Sequence, residues 1–370
     1  MTVAYLNHVG IIGGAERSLL EMMEALSARG CRPLLLAPEG PLSAAARLGG
    51  IAAVPVSFDA ITSAELLRFP LSLGQRWRAL EREIASTIRR HEARVIHANS
   101  LKAAVLARAA AQSLRLPLIW HARDRVPIPA PVRRVLIGMV RDRAAAIIAN
   151  SRYTLKAIGA VPPQGRVVLN GIPLDRYRPL ARSAPVRPAC VGIVGRIAPE
   201  KGQDLFVRMA ADLRRRHSGL RYRIVGDVFP GAERFAQRVR RDIAAAGLAA
   251  SFEWLPHCDG PEAIYGGIDI LAVPSRSEGF GRVALEGMAC GIPVVAADSG
   301  GVAEFSRHGE DILLFPVGDH RRGADLVARL ATDADLRQRL VEGGRRTAGR
   351  LSAVKMAGQL QSVYDEVLGD

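Results

Sequence analysis

The amino-acid sequence predicts an α/β protein made of two doubly wound, Rossmann-like domains. Three observations carry this expectation. Short apolar strands alternate with helical segments in two successive series, a Pro- and Arg-rich stretch separates the series, and 370 residues exceed the size at which one core stops growing. The first series reads as strands at residues 3–7, 33–37, 95–98, 118–121, 146–149 and 167–169. These runs are apolar on both faces, as in a parallel sheet covered by helices on both sides. The second series follows at 190–194, 222–225, 252–255, 270–273, 294–297 and 312–315. Between them, residues 175–188 carry Pro179, Pro185 and Pro188 and read as a linker, giving domains at 1–178 and 179–352. Open sheets of this kind bind ligands beyond the carboxyl ends of their strands, so two such domains facing each other would form a cleft.

Composition narrows the class further. Apolar residues make up 49% of the chain and aromatic residues only 5%, enough aliphatic material for two cores. The net charge of +15 is concentrated in the first half, where residues 1–180 hold 25 Lys and Arg against 12 Asp and Glu. A basic half suits nucleic acid, an anionic membrane surface or an acidic substrate. Nucleic acid is not expected, because aromatic interleaving, zinc-knuckle spacing and a helix-turn-helix pattern are all lacking. Arg133, Arg134, Arg141 and Arg143 bracket an apolar run at 135–140, and Arg76, Arg78, Arg82, Arg89 and Arg90 line another helical region. Two readings fit: helices packed on a sheet with a solvated outer face, or peripheral membrane contact through the basic N-terminal domain. The sequence has no apolar run of membrane-spanning length and no leader pattern at its start, so a cytoplasmic protein is expected. Cys31, Cys190, Cys258 and Cys290 are scattered and read as reduced and structural, with no metal site expected.

The segment from Ser275 to Ala296 carries the most chemistry. It sets Glu278 and Glu286 eight residues apart around a glycine-flanked turn, 279–281, between a buried strand and a helix stopped by Gly291. Glu278 thus falls at the carboxyl end of a strand, and Glu286 two turns into the next helix. Free N–H groups at the helix start, near Gly281, attract a phosphate, while a carboxylate further along accepts hydrogen bonds from ribose hydroxyls. The pattern suits a sugar nucleotide. The plainer alternatives are a solvent-facing Glu286 and a Glu278 that complements the helix dipole.

Arg196 and Lys201 follow the first strand of the second series, with Pro199 opening the next helix. Arg binds a diphosphate in bidentate fashion and Lys acts as a point charge. Alternatively, both sit on a solvated loop and pair with Glu200 and Asp204. Lysine is scarce, with four in the chain, which singles out Lys201. Such cations stabilise a leaving diphosphate directly, so no metal cofactor is expected. Gly13 and Gly14, between the first strand and its helix, permit close approach of a ligand or simply make a tight turn. They do not form Gly-x-Gly-x-x-Gly, which removes the main support for a nicotinamide enzyme. His121 ends a strand, with Arg123 and Asp124 just beyond it; a strand-end histidine is often structural. Asn150 and Ser151 read equally well as a helix cap.

The Glu-x7-Glu signature with its Pro274-Ser275 lead-in resembles the retaining GT-B glycosyltransferases of glycosyltransferase family 4 (glycosyl transferases group 1). Gly195-Arg196 with Lys201-Gly202, the run from Asn170 to Pro179, Gly13-Gly14-Ala-Glu-Arg, Asn150-Ser-Arg-Tyr and Ser299-Gly-Gly-Val-Ala-Glu304 fit the same family in order along nearly the whole chain. The pattern departs at 254–260, beside the expected nucleotide base. The resemblance implies a GT-B architecture, with the donor mainly on the second domain and the acceptor on the first, and a final helix, 353–370, that crosses back. It implies catalytic residues His121, Arg196, Lys201 and Glu278, and a donor site of Gly13, Gly14, Gly279, Phe280, Gly281, Arg282 and Glu286. The implied reaction is retaining, metal-independent transfer of a hexosyl unit from a nucleoside diphosphate sugar, expected to be UDP-linked. The acceptor hydroxyl is unidentified, anionic or lipid-linked, in bacterial glycan, glycolipid or natural-product biosynthesis. The rivals are a hydrolysing sugar-nucleotide epimerase of the same fold and a non-catalytic protein that binds through its basic half.

Overall fold

A computed structural model describes residues 1–56, 70–123, 129–160, 164–180, 189–217 and 219–369, with backbone alone at 70–75. The chain divides into two compact units, Met1–Gly171 with Ala353–Asp370, and Ile172–Ser352.

The first unit contains a seven-stranded parallel sheet. Its strands are β1 (Thr2–Leu6), β2 (Arg32–Ala37), β3 (Ala52–Pro55), β4 (Val95–Ala98), β5 (Leu118–Ala122), β6 (Ala146–Ala149) and β7 (Gly165–Val167), in the spatial order β3-β2-β1-β4-β5-β6-β7. The order reverses between β1 and β4, the switch point at which doubly wound sheets bind ligands. Alternation sorts the side chains onto two faces. Ala4, Leu6, Ile96 and Trp120 enter one core with the helix Leu101–Leu114. Val3, Tyr5, Val95 and Ile119 enter the other, with Leu19 and Met22 of the helix Gly14–Ser27. Met356, Leu360 and Tyr364 of the helix Ala353–Leu368 fill that second core, which is what places the end of the chain in this unit. Strand β3 is not anticipated because its four residues, though apolar, are two alanines, a valine and a closing proline, a composition that disfavours a strand, and they are partly exposed.

The second unit has a six-stranded parallel sheet of β8 (Cys190–Val194), β9 (Arg221–Val225), β10 (Phe252–Leu255), β11 (Ile270–Val273), β12 (Val294–Ala297) and β13 (Leu313–Phe315). Their order is β10-β9-β8-β11-β12-β13, with the switch between β8 and β11. The sequence places residues 172–178 with the first domain, whereas the structure places them with the second. Ile172 N–H donates to Leu351 O at 3.0 Å, and Tyr177, read as linker, is buried with its hydroxyl facing Arg282. The remainder of the expected linker, 181–188, lies outside the described residues. Among the described residues no helix is long and apolar enough to cross a membrane.

Candidate active site

In the second unit, the loops that leave β8 and β11 at the switch point are held against each other. After β8 the chain runs through Arg196 into a single turn, Pro199–Lys201, and Gly202 then opens the helix Gln203–Arg214. Gly202 has φ +75°, and a Cβ there would overlap the Pro274 carbonyl oxygen beyond β11, so only glycine allows this approach. Fully buried Gln203 braces the loop, donating from Nε2 to Arg196 O at 2.9 Å. Arg276 staples the two loops. Its guanidinium donates to Pro199 O at 2.7 Å and to both Asp204 oxygens at 2.8 and 2.6 Å. Partial burial opposes ionisation of Asp204, but these bonds and the Arg276 charge hold its carboxyl below the usual range.

This scaffold brings Lys201 Nζ within 2.6 Å of Glu278 Oε1, which also accepts from Ser275 Oγ at 2.8 Å. Both partners are largely shielded from water. Lys201 therefore does not pair with Glu200 or Asp204. Arg196 is half exposed, stacked over the Phe229 ring at 4.5 Å and 3.8 Å from Glu200. Of the sequence-predicted cations, Lys201 is oriented by a carboxylate and Arg196 keeps an accessible guanidinium.

The turn after Glu278 is pressed onto the loop after β12. Gly301 N–H donates to Glu278 O at 3.1 Å, and a Cβ at Gly300 would collide with that carbonyl. The buried Phe280 side chain packs on Phe305, ring centroids 4.9 Å apart, so it anchors the turn and any ligand contact from Phe280 falls to its backbone. Gly279 and Gly281 flank it. Gly281 caps the helix Arg282–Ala289 without a side-chain hydrogen bond, its carbonyl taking the Ala284 N–H at 3.0 Å, and the positive end of the helix dipole there favours an anion. Beside this turn, Ser299 buries a hydroxyl that has no hydrogen-bond partner among the described residues.

Glu286 is buried, and its charge is met within the unit. Arg282 Nε lies 2.5 Å from Oε1, the Tyr265 hydroxyl donates to Oε2, and Arg282 reaches the Tyr177 hydroxyl at 3.3 Å. Burial, then the Glu286 charge, raise the Tyr265 phenol well above its ordinary value, so it stays a donor. The solvent-facing alternative for Glu286 is thus excluded. A carboxylate has about four acceptor positions, which leaves room for ribose hydroxyls. Tyr265 belongs to no sequence motif, and Tyr177, although inside the run from Asn170 to Pro179, is brought to Glu286 through Arg282 only by the fold, so neither partner is legible in the sequence.

In the first unit, Gly13 caps the helix Gly14–Ser27, its N–H donating to Glu16 at 3.1 Å. A Cβ on Gly14 would meet nothing within 4 Å, so packing does not require glycine there. His121 is fully buried near the end of β5, its Nδ1 3.1 Å from His97 Nε2. Arg123, also buried, is committed to a polar cluster at the strand ends. It donates to Asn99 at 2.9 Å, Ser18 at 3.0 Å and Asn170 at 2.7 Å, while its carbonyl accepts from Asn150 at 2.6 Å. Ser151 caps the helix Arg152–Ile158. Asp124 lies outside the described residues. No group of three or more His, Cys, Asp or Glu side chains able to hold a metal ion occurs among the described residues.

Two parallel-sheet Rossmann-like units of this kind define the GT-B class of glycosyltransferase. The fold matches Anabaena HepE solved in complex with UDP and glucose, with a TM-score of 0.86 at 24% identity over 99% of this chain and 100% of that one. It also matches sucrose-phosphate synthase from Thermosynechococcus elongatus, with a TM-score of 0.81 at 19% identity over 100% of this chain and 99% of that one. The family follows from sequence. Glycosyltransferase Family 4 matches residues 12–176 and Glycosyl transferases group 1 matches residues 181–347. The chain is 36% identical over 291 residues to D-inositol 3-phosphate glycosyltransferase of Saccharomonospora viridis, covering 67% of each. It is 33% identical over 305 residues to that of Acidothermus cellulolyticus, covering 75% of this chain and 68% of the relative. The protein belongs to glycosyltransferase family 4 and is a transferase enzyme.

Proposed function

We propose that this glycosyltransferase moves a hexosyl unit from a UDP-sugar to an acceptor hydroxyl, with retention of anomeric configuration and without a metal. The observation that carries the reading is the Lys201–Glu278 pair, set with Arg196 at the carboxyl ends of β8 and β11. One Lys201 N–H is used by Glu278, and the ammonium has two more for a diphosphate oxygen. Arg196 adds a bidentate fork, and the N–H groups at the start of the Arg282–Ala289 helix add a third positive element. Glu278 keeps Oε2 for sugar hydroxyls and Glu286 accepts from ribose. His121, Gly13 and Gly14 are the donor contacts from the first unit, as the family resemblance implies.

In the reaction, the bond from the anomeric carbon to the diphosphate oxygen breaks and its electron pair leaves with the phosphate. The acceptor oxygen bonds to the same face of that carbon, and its proton passes to the departing phosphate. Arg196 and Lys201 are preorganised to stabilise the charge that develops on the leaving group. HepE, which shares the fold, has been seen with UDP and glucose, and this favours the same donor here. The basic first half favours an anionic acceptor, in keeping with relatives named for an inositol phosphate.

The test is turnover with a panel of nucleotide sugars and inositol phosphates in EDTA, reading the product anomer by NMR. Transfer from a UDP-sugar that keeps the donor's configuration supports the reading; inversion, or dependence on added metal, refutes the corresponding part. Sugar-nucleotide consumption without an acceptor would favour the hydrolysing epimerase. Peripheral membrane contact is proposed at the helix Ala130–Arg141, where Val132 and Val135 are exposed beside Arg133 and Arg134. Flotation with anionic but not neutral vesicles checks it, and equal flotation with both, or with neither, contradicts it.

A further inference from the structure

In the first unit four buried side chains form one hydrogen-bonded line. Tyr5 and Tyr364 hydroxyls lie 3.0 Å apart, Tyr364 Oη is 2.8 Å from His97 Nδ1, and His97 Nε2 is 3.1 Å from His121 Nδ1. All four residues are fully buried. At the far end, His121 Nε2 is buried and has no hydrogen-bond partner among the described residues. The register explains the line. Tyr5 pairs with His97 across β1 and β4, His97 with Ile119 across β4 and β5, and His121 lies two residues on, on the same face. Tyr364 enters from the helix Ala353–Leu368.

Proton bookkeeping decides what His121 offers. Burial, and then the nearby Arg123 charge, lower the basicity of both histidines, His97 to about 3, so each ring is neutral and carries one N–H. Three contacts share the protons of two phenols and two imidazoles, so one proton is left over at an end of the line. A phenol is the better donor and a neutral imidazole nitrogen the better acceptor, so Tyr364 donates to His97 Nδ1. His97 must then carry its proton on Nε2 and donate to His121 Nδ1, which places the remaining proton on His121 Nε2. The reverse order would strand a phenolic proton on Tyr5 among Leu19, Met22 and Leu35 of the apolar core.

We infer that Tyr364 and His97 are positioning residues that fix His121 as a hydrogen-bond donor through Nε2–H, so that its ligand partner is an acceptor oxygen and His121 is not a general base. This rests on the proposed contact of His121 with the donor sugar. It extends that contact to residues outside every sequence motif, and to the last helix of the chain.

The experiment uses the full-length protein labelled with ¹⁵N-histidine, with His121→Gln to assign the His121 signals. Wild type should show the Nε2–H tautomer alone. Tyr364→Phe removes the phenol that orders the line and should give a mixture of tautomers. It should lower kcat about tenfold, with KM changed less than about twofold, because the altered group is not a binding contact. Tyr5→Phe is equally buried but leaves Tyr364 free to donate, so it should keep the wild-type tautomer; it also guards against a general effect of losing a buried hydroxyl. In the His121→Gln background, Tyr364→Phe should cost little further activity. An Nδ1–H tautomer in wild type, or an unchanged tautomer in a folded Tyr364→Phe, overturns the relay. Full activity of His121→Gln overturns the ligand contact instead, and the NMR signature tells the two failures apart.

Discussion

Lys201 and Glu278 are 77 residues apart in sequence, yet Nζ and Oε1 meet at 2.6 Å, and together they tie the β8 loop to the β11 loop. Removing one partner leaves a shielded charge unpaired, whereas removing both charges does not. Lys201→Met should therefore destabilise the protein by about 1–3 kcal/mol, and adding Glu278→Gln should restore part of that loss. Urea denaturation of the two single variants and the double variant measures the coupling. Additive effects would show that the pair is not coupled.

Gly202 controls how closely these loops approach. Gly202→Ala imposes a left-handed backbone on alanine at about 1–2 kcal/mol, to which overlap with Pro274 O adds more. A total loss above about 2 kcal/mol in urea denaturation is expected, together with slower transfer, because Lys201 is the adjacent residue.

Glu286 should prove structural as well as functional. Tyr265→Phe removes a donor from a buried carboxylate and should cost about 1.5–3 kcal/mol. Glu286→Gln should weaken nucleoside binding with a smaller stability loss than Glu286→Ala, as followed by thermal melts with and without nucleotide.

The buried histidines predict a pH dependence of stability. His97 is held near 3 and His121 well below its ordinary value, while in the unfolded chain both titrate near about 6.5. Between those limits the unfolded state binds more protons, so stability is complete above about pH 6.5 and falls as pH drops towards 3. Each histidine contributes a slope of up to about 1.4 kcal/mol per pH unit. His97→Gln should flatten the acid limb of stability against pH, measured by urea denaturation from pH 7 to pH 5.

Much of this molecule is legible in its sequence because parallel strands covered on both faces must be continuously apolar. That is why β8, β11 and β12 stand out, while the edge strand β3, apolar but half-exposed, rich in alanine and closed by Pro55, does not. Lys201, Glu278 and Glu286 are legible because they sit inside local patterns. Arg276, Gln203, Tyr265 and Tyr177 are not, because their roles arise when distant segments meet in three dimensions. The same holds for the line from Tyr5 through Tyr364 to His121, whose members come from three strands and the last helix. Arg123 is a further case, since its place just beyond His121 is visible in the sequence and its role as a strand-end hub emerges only from its contacts.

The central claim is that Arg196 and Lys201 hold the diphosphate of the donor. Calorimetric titration of wild type, Arg196→Ala and Lys201→Ala with UDP and with UMP, in EDTA, tests it most directly. The expected result is metal-independent binding of UDP, weakened about tenfold or more in each variant, with UMP affinity changed much less. Equal losses for UDP and UMP, or no UDP binding by wild type, would contradict the clamp.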